Sequence, residues 1–363
     1  MSLTCGIIGL PNAGKSTLFN ALTKACVAAE PYPFCTIEAN TGVVAVPDPR
    51  LSQVASVAGC SQTTPAYIKF VDIAGLVKGA SHGEGLGNRF LAKIREADLL
   101  VHVLRVFEAS GVSHVYGTVD PLRDLELVEL ELVMADISTV ETRMAKLGRK
   151  QKSGDKIACQ ELKFLERLFR HLEQAQPART FTRDKDEEKF LQDLQLLSNK
   201  ALLYVLNENE GQDLQEEQIA GVLEKATREG IAVLKISAAL EAEVHEFSEA
   251  ERADFLKEYG YQQSGLERLI QTCYRQLGLL TFFTVKGKEA RAWTLKEGAT
   301  ALEAAGKVHT DMQRGFIAAE TINWQALLEE GSVPRARSNG KLRLEGKGYI
   351  IQDGDVLFFR FYV

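Results

Sequence analysis

Apolar residues along this chain follow two rhythms, and the change between them divides the sequence. Apolar strand-like runs recur at 5–8, 42–46, 66–71, 99–106, 201–206 and 231–236, several of them apolar at consecutive positions. Such runs are expected of strands covered on both faces, as in a parallel sheet. Helical stretches separate them; in the first, from Thr17 to Lys24, Leu18, Leu22 and Ala25 share one face. The alternation predicts an α/β fold with a doubly wound sheet.

Between 122 and 199 the strand rhythm stops. Ile137, Val140, Met144 and Leu147 are spaced by three, four and three residues, and Leu162, Leu165, Phe169 and Leu172 repeat that spacing beyond the polar turn Lys152-Ser153-Gly154-Asp155. Two amphipathic helices joined by a short turn are expected to pair as an antiparallel hairpin, an arm inserted into the sheet domain. A third helix, carrying Phe190, Leu194 and Leu197, leads back to the sheet. After a helix at 265–277 the pattern changes again, with strands at 282–285, 290–294 and 316–322, a helix at 299–308, and two strands around an Asp353-Gly354 turn in 349–359. This predicts a small α+β domain of about 80 residues. The expected domains are 1–124 with 200–279 for the sheet, 125–199 for the arm and 280–363 for the tail.

The chemistry begins directly after the first strand. Residues Gly9 to Ser16 read glycine, four residues, Gly14, Lys15, Ser16, a loop whose backbone N–H groups curl around phosphates. The amides of Asn12, Ala13, Gly14 and Thr17 fall on this loop and the helix start, where the dipole favours an anion. Lys15 reaches the terminal phosphates and Ser16 is placed to ligate Mg²⁺. The chain therefore holds a nucleoside triphosphate.

At the end of the 66–71 strand stands Asp72-Ile73-Ala74-Gly75, 57 residues after Lys15. An aspartate there holds Mg²⁺ through water and a glycine N–H senses the γ-phosphate, which favours a GTPase-like switch over an adenylate-type kinase. Gly79, Gly83, Gly85 and Gly87 follow as hinges of one loop. Thr36 and Thr41 are both placed by position to complete the metal shell. After the fifth strand, Asn207-Glu208-Asn209-Glu210 occupies the place of a guanine-reading Asn-Lys-x-Asp. With no lysine, and a longer carboxylate at Glu210, the base is expected to be adenine, whose acceptor and donor an amide such as Asn207 can match.

Composition narrows the class. Apolar residues are 45%, charged residues 25% and the net charge is −6, which excludes wholesale coating of nucleic acid. Arg143, Lys146, Arg149, Lys150, Lys152 and Lys156 nevertheless gather at the arm tip, either as a solvated face or as a contact for phosphate backbone such as ribosomal RNA. The six cysteines are scattered without metal spacing; Cys5 and Cys273 read as core and Cys35 as an oxidisable loop thiol. No run approaches a membrane span of roughly 18 residues, and the protein is expected to be cytoplasmic, away from membranes and mostly monomeric.

Taken together, Gly9 to Ser16, Pro33 to Glu38, Asp72 to Val77, Gly83 to Asn88 and Asn207 to Glu210 resemble the YchF subfamily of Obg-related P-loop proteins over essentially the whole chain. Departures are modest: Ala13 stands where the family often has Val, Ala39 where it often has Pro, and Glu208 where it often has an apolar residue, so only a backbone contact is assigned to Glu208. The resemblance implies an ATPase that binds ribosomes and is linked to translation and stress, a tail domain similar to a TGS domain of β-grasp type, and Thr36 over Thr41 as Mg²⁺ ligand. Leu76 replaces the glutamine that orients water in many GTPases, so intrinsic hydrolysis is expected to be slow. The resemblance points to His114 as a catalytic histidine, against a plain loop role, and to Asn12 as a K⁺ ligand, against a turn-forming amide. The competing functions are a GTP-specific ribosome-assembly enzyme and a nucleotide-gated binding module with incidental hydrolysis.

Overall fold

The computed structural model describes residues 3–27, 40–73, 86–108, 114–151, 155–209, 214–244, 247, 251 and 263–362. The chain forms two compact units, Met1–Gly42 with Lys69–Leu266, and Val43–Ile68 with Glu267–Val363.

The first unit is built on β1 (Thr4–Ile8), α1 (Lys15–Val27) and β2 (Thr41–Ala45), followed by α2 (Pro49–Ala58) and β3 (Gln62–Thr64) of the second unit. It resumes with β4 (Tyr67–Asp72), α3 (Leu86–Glu96), β5 (Leu99–Arg105), α4 (Pro121–Gln151), α5 (Lys156–Glu173), α6 (Lys185–Leu194), β6 (Ala201–Asn207), α7 (Glu216–Glu229), β7 (Ala232–Ile236) and α8 (Ala238–Val244). The strands lie in the order β2-β4-β1-β5-β6-β7, and β1 pairs in parallel with both β4 and β5. All seven residues of β5 are buried, His102 and Arg105 included, as expected of a mostly apolar strand covered on both sides. The order of connection reverses around β1, so the carboxyl ends of β1, β4, β5 and β6 lie at a switch point where α/β sheets bind ligands.

The arm is a two-helix hairpin with its own core. Val140, Leu147, Leu165 and Leu172 are buried there and Ile137, Met144, Leu162 and Phe169 pack against them, the residues that the three-four spacing selects. Asp136, on the same helical face, is fully buried. Its oxygens accept from the Leu197 N–H at 2.7 Å, the Ser198 N–H at 2.8 Å and the Ser198 hydroxyl at 2.6 Å, which is how a buried carboxyl is tolerated. Burial nevertheless pushes its pKa up to about 6, against those hydrogen bonds. At the arm base Arg179 pairs with Glu129 of α4 and Glu229 of α7, and Lys225 of α7 closes the set through Glu129. Two cations and two anions cancel there.

The second unit contains α9 (Gly265–Gln276, its first two residues in the first unit), β8 (Leu279–Lys286), β9 (Glu289–Lys296), α10 (Ala301–Val308), α11 (Thr310–Arg314), β10 (Phe316–Asn323), α12 (Trp324–Glu330), α13 (Val333–Ser338), β11 (Arg343–Glu345) and β12 (Asp355–Phe361). Its sheet runs β11-β10-β12-β8-β9-β3, and Phe282, Ala304, Ala305, Phe316 and Leu357 share the core beneath α10. Two expectations need correction. Residues 43–68 group with this unit, although β2 and β4 at their two ends are strands of the first sheet, and Gln62–Thr64 pairs in parallel with Glu289–Arg291. The expected hairpin at 349–359 is a single strand, because Ile350 bridges to Thr300 while the Asp353-Gly354 turn is held by Thr281, whose N–H donates to the Asp353 carboxylate and whose carbonyl accepts from the Gly354 N–H.

Leu165 is completely buried, so Leu165→Ala is expected to cost about 3 kcal/mol. Urea unfolding followed by hydrogen exchange in α5 measures it, and a loss below about 1 kcal/mol would show that the arm core is loosely packed.

Candidate functional site

The phosphate loop turns through backbone that most side chains avoid. Gly9 lies at φ 146° and Gly14 at φ 92°, and a Cβ on Gly14 would fall on the Asn207 amide nitrogen. Only glycine lets the loop pass so close. Asn12 is left-handed at φ 61°, a conformation asparagine accepts more readily than most residues, so its place has a backbone explanation. Lys15 is buried, and its ammonium donates to the Leu10 carbonyl at 2.7 Å. Desolvation lowers its pKa and the charge of Asp72 works against that.

Across from the loop, the Ser16 hydroxyl donates to Asp72 Oδ2 at 3.0 Å. Among the described residues the other carboxylate oxygen, Oδ1, is buried without a hydrogen-bond partner, a costly arrangement in a dry interior. Lys15, Ser16 and Asp72 are thus brought together from the start of α1 and the end of β4. A hydroxyl and a carboxylate with an unused oxygen form a hard-oxygen set suited to Mg²⁺ or its water shell.

Asn207 closes the other side. Its Nδ2 donates to the Ala13 carbonyl at 2.9 Å and its Oδ1 accepts from the Ala238 N–H at 3.0 Å. The amide therefore ties the phosphate loop to the loop after β7, and one N–H and one lone pair remain for a base. The Glu208 N–H donates to the Ile236 carbonyl and its carboxylate pairs with Lys235 at 3.2 Å. Thr17 is exposed at the first turn of α1.

His114 has other company. Its Nε2 lies 2.7 Å from Asp124 Oδ2 and its Nδ1 accepts from the Tyr116 N–H at 3.2 Å, so both ring nitrogens are engaged at the entrance to α4. Thr36, Gly75, Leu76, Glu210 and Cys35 lie outside the described residues. Cys5 and Cys273 are buried in the core, as expected. Sequence reasoning missed His102, buried on β5 with Nε2 unpartnered and its ring edge-on to Tyr204 of β6 at 6.0 Å. An imidazole inside the mostly apolar run 99–106 was the available signal. Desolvation, with lesser contributions from Lys15 and Arg179, lowers its pKa to about 3.

Residues 279–362 match the family model YchF-GTPase_C, described as a protein of unknown function, and 4–143 match MMR_HSR1, described as a 50S ribosome-binding GTPase. The proteins named ribosome-binding ATPase YchF from Bacillus subtilis and Haemophilus ducreyi are 46% and 48% identical, each match covering all of both chains. The chain belongs to the YchF family. The structure of the Schizosaccharomyces pombe YchF GTPase superposes with a TM-score of 0.88 at 33% identity, covering 99% of this chain and 98% of that one. A GTP-binding protein from Pyrococcus horikoshii, 21% identical with a TM-score of 0.62 over the full length of both chains, shares the fold. The YchF relatives differ in the nucleotide their names carry, ATP in the bacteria and GTP in the yeast. Among the described residues of this YchF chain, no helix is long and apolar enough to cross a membrane.

Two outcomes are expected. Gly14→Ala should displace Asn207 and weaken nucleotide binding by roughly tenfold or more in calorimetry; unchanged affinity would mean that the loop tolerates a side chain. For His102 the folded pKa lies below the unfolded value of about 6.5. The unfolded chain therefore takes up the proton first, and stability should fall on acidification from about pH 6.5 towards 3, by up to about 1.4 kcal/mol per unit. Urea titrations at pH 7 and 5 should show a smaller difference in His102→Gln, and an equal one would remove His102 from the pH dependence.

Proposed function

We propose that this chain is a Mg²⁺-dependent ATP-hydrolysing switch that binds ribosomes and couples its nucleotide state to translation or a stress response. The observation that carries the reading is the convergence of Lys15, Ser16 and Asp72, with the Asp72 Oδ1 oxygen unused. Lys15 and the loop amides stabilise charge on the β- and γ-phosphates, and Ser16 with Thr36 holds the metal. When bound, Mg²⁺ supplies neutralisation of the charge that develops between those phosphates. Asp72 would hold the metal through its water shell, and the Gly75 N–H would sense the γ-phosphate. Leu76 cannot orient the attacking water, so turnover is slow until help arrives. His114 gives that help only by exchanging Asp124 or Tyr116 for the water. A K⁺ ion beside Asn12 is a second source of help, supported by position alone.

The base reading is adenine. The lysine and aspartate of the guanine motif are replaced by Glu208 and Glu210, and the names of the bacterial relatives support ATP. The yeast relative's name and the GTPase family description favour GTP as the second reading. For the ribosome, the arm offers phosphate contacts. Arg143 is paired with Glu161 at 2.6 Å, while Lys146 and Lys156 are exposed near the tip. The TGS-like tail domain is a second contact for ribosomal RNA.

Lys15→Ala should abolish steady-state ATP turnover; an unchanged rate would sink the site. Neutralising Arg149, Lys150 and Lys152 should weaken ribosome co-sedimentation and lower its salt slope by roughly one for each phosphate no longer neutralised. Ribosome binding identical with ATP, ADP and no nucleotide would remove the switch.

A further inference from the structure

We propose that Phe358, Arg360 and Tyr362, with Arg337 of α13, form a binding face for a single-stranded segment of RNA on the second unit's sheet. The inference rests on the reading of the tail as an RNA contact and adds which face makes that contact and which form of RNA it takes.

The end of β12 reads Phe358-Phe359-Arg360-Phe361-Tyr362, and alternation along a strand sends odd and even residues to opposite faces. Phe359 packs on the core beneath α10, its ring edge-on to Phe282 at 6.5 Å and to Phe316 at 6.2 Å. Phe358 and Arg360 therefore lie on the other face. Glu320 stands opposite Phe358 in register, and Leu344 of β11 stands opposite Glu320, so both share that face. Tyr362 continues the row, because its N–H donates to the Gly315 carbonyl at 2.9 Å and prolongs the extended backbone past β12. This end of the face is open to solvent: Tyr362 is 82% exposed and Leu344 62%.

Charge on the face is arranged around Glu320. Arg337 Nη2 donates to Glu320 Oε2 at 2.7 Å, and Arg360 Nη2 donates to Oε1. Desolvation acts to raise the Glu320 pKa, but the hydrogen bonds and charges of the two arginines outweigh it and hold the carboxyl below its ordinary range. Two cations on one anion leave a net positive charge. Among the described residues Glu320 is the acceptor that each guanidinium meets, which leaves Nε and Nη1 of both forks for a ligand. The Arg337 guanidinium also lies over the Phe358 ring, 5.9 Å from its centroid, while 54% of its side chain stays exposed.

Aromatic, guanidinium and aromatic groups thus stand in one row on an open sheet face. Unpaired bases stack on such rings and guanidinium planes, and the arginine forks match phosphate. A duplex hides its base faces and cannot use the rings. An acidic peptide would engage the arginines and leave Tyr362 idle.

The test is fluorescence anisotropy of the full chain with a labelled single-stranded oligoadenylate RNA, a labelled RNA hairpin duplex, and a glutamate-rich peptide as competitor. The wild type should bind the single strand more tightly than the duplex. Tyr362→Ala should weaken single-strand binding at least about fivefold, and Tyr362→Phe should retain it. Arg360→Ala should lower the salt slope by about one; the exposed Tyr362 serves as the independent variant should Arg360→Ala fail to fold. Equal binding by Tyr362→Ala and wild type, a duplex bound as tightly as the single strand, or displacement of the RNA by the peptide at equal concentration overturns the inference. Ribosome co-sedimentation without oligonucleotide binding overturns this inference alone. Oligonucleotide binding that depends on Tyr362 without ribosome binding overturns the proposed function and supports the face.

Discussion

The nucleotide unit depends on one carboxamide. Asn207 holds the Ala13 carbonyl and the Ala238 N–H at once, so the loop after β1 and the loop after β7 are placed by the same planar group. That group is buried, and the low dielectric around it makes each of its hydrogen bonds costly to leave unmade. Gly14 is the complementary constraint, since a side chain there would occupy the amide's position. Lys15 and Ser16 follow Gly14 in the chain and inherit their placement from it. Asp72 meets Ser16 because β4 lies beside β1. The site is thus preorganised by contacts remote from any phosphate, which is the condition for electrostatic stabilisation without reorganisation.

Charge is handled differently in the arm and in the site. At the arm base the Arg179, Glu129, Glu229 and Lys225 set cancels internally, and Asp136 is satisfied by three donors from one turn. The first set joins α4 to α7 of the sheet domain, and the second closes α4 onto the end of the arm. In the phosphate site the balance is left incomplete. Lys15 is desolvated and the Asp72 Oδ1 oxygen has no hydrogen-bond partner, two departures that a triphosphate and a divalent cation would relieve together. Functional sites are where such departures collect.

Much of this was legible in the sequence. The six strands of the nucleotide sheet were visible because strands covered on both faces are mostly apolar, and the arm because its spacing is helical. Lys15, Ser16 and Asp72 were found because phosphate chemistry fixes their spacing. Gln62–Thr64 and Arg343–Glu345 were not found, since three-residue strands at a sheet edge carry no apolar run. Asn207 was read as facing the base. Its partners are backbone groups 194 and 31 residues away, and no side-chain pattern announces a backbone partner. His114 was singled out by the family resemblance, and its ring is held by Asp124 and Tyr116, partners that no pattern in the sequence announces. The assignment of 43–68 to the second unit was hidden because the segment lies between two strands of the first unit's sheet.

The central claim is that one amide-organised site selects an adenine nucleotide while holding its phosphates with Mg²⁺. Calorimetric titration of ATP and of GTP, each with Mg²⁺, into the wild type and Asn207→Ala is the most direct measurement. Tighter binding of ATP by the wild type, with both affinities falling together in the variant, is the expected result. Preference for GTP, or a variant that binds ATP as well as the wild type does, would contradict it.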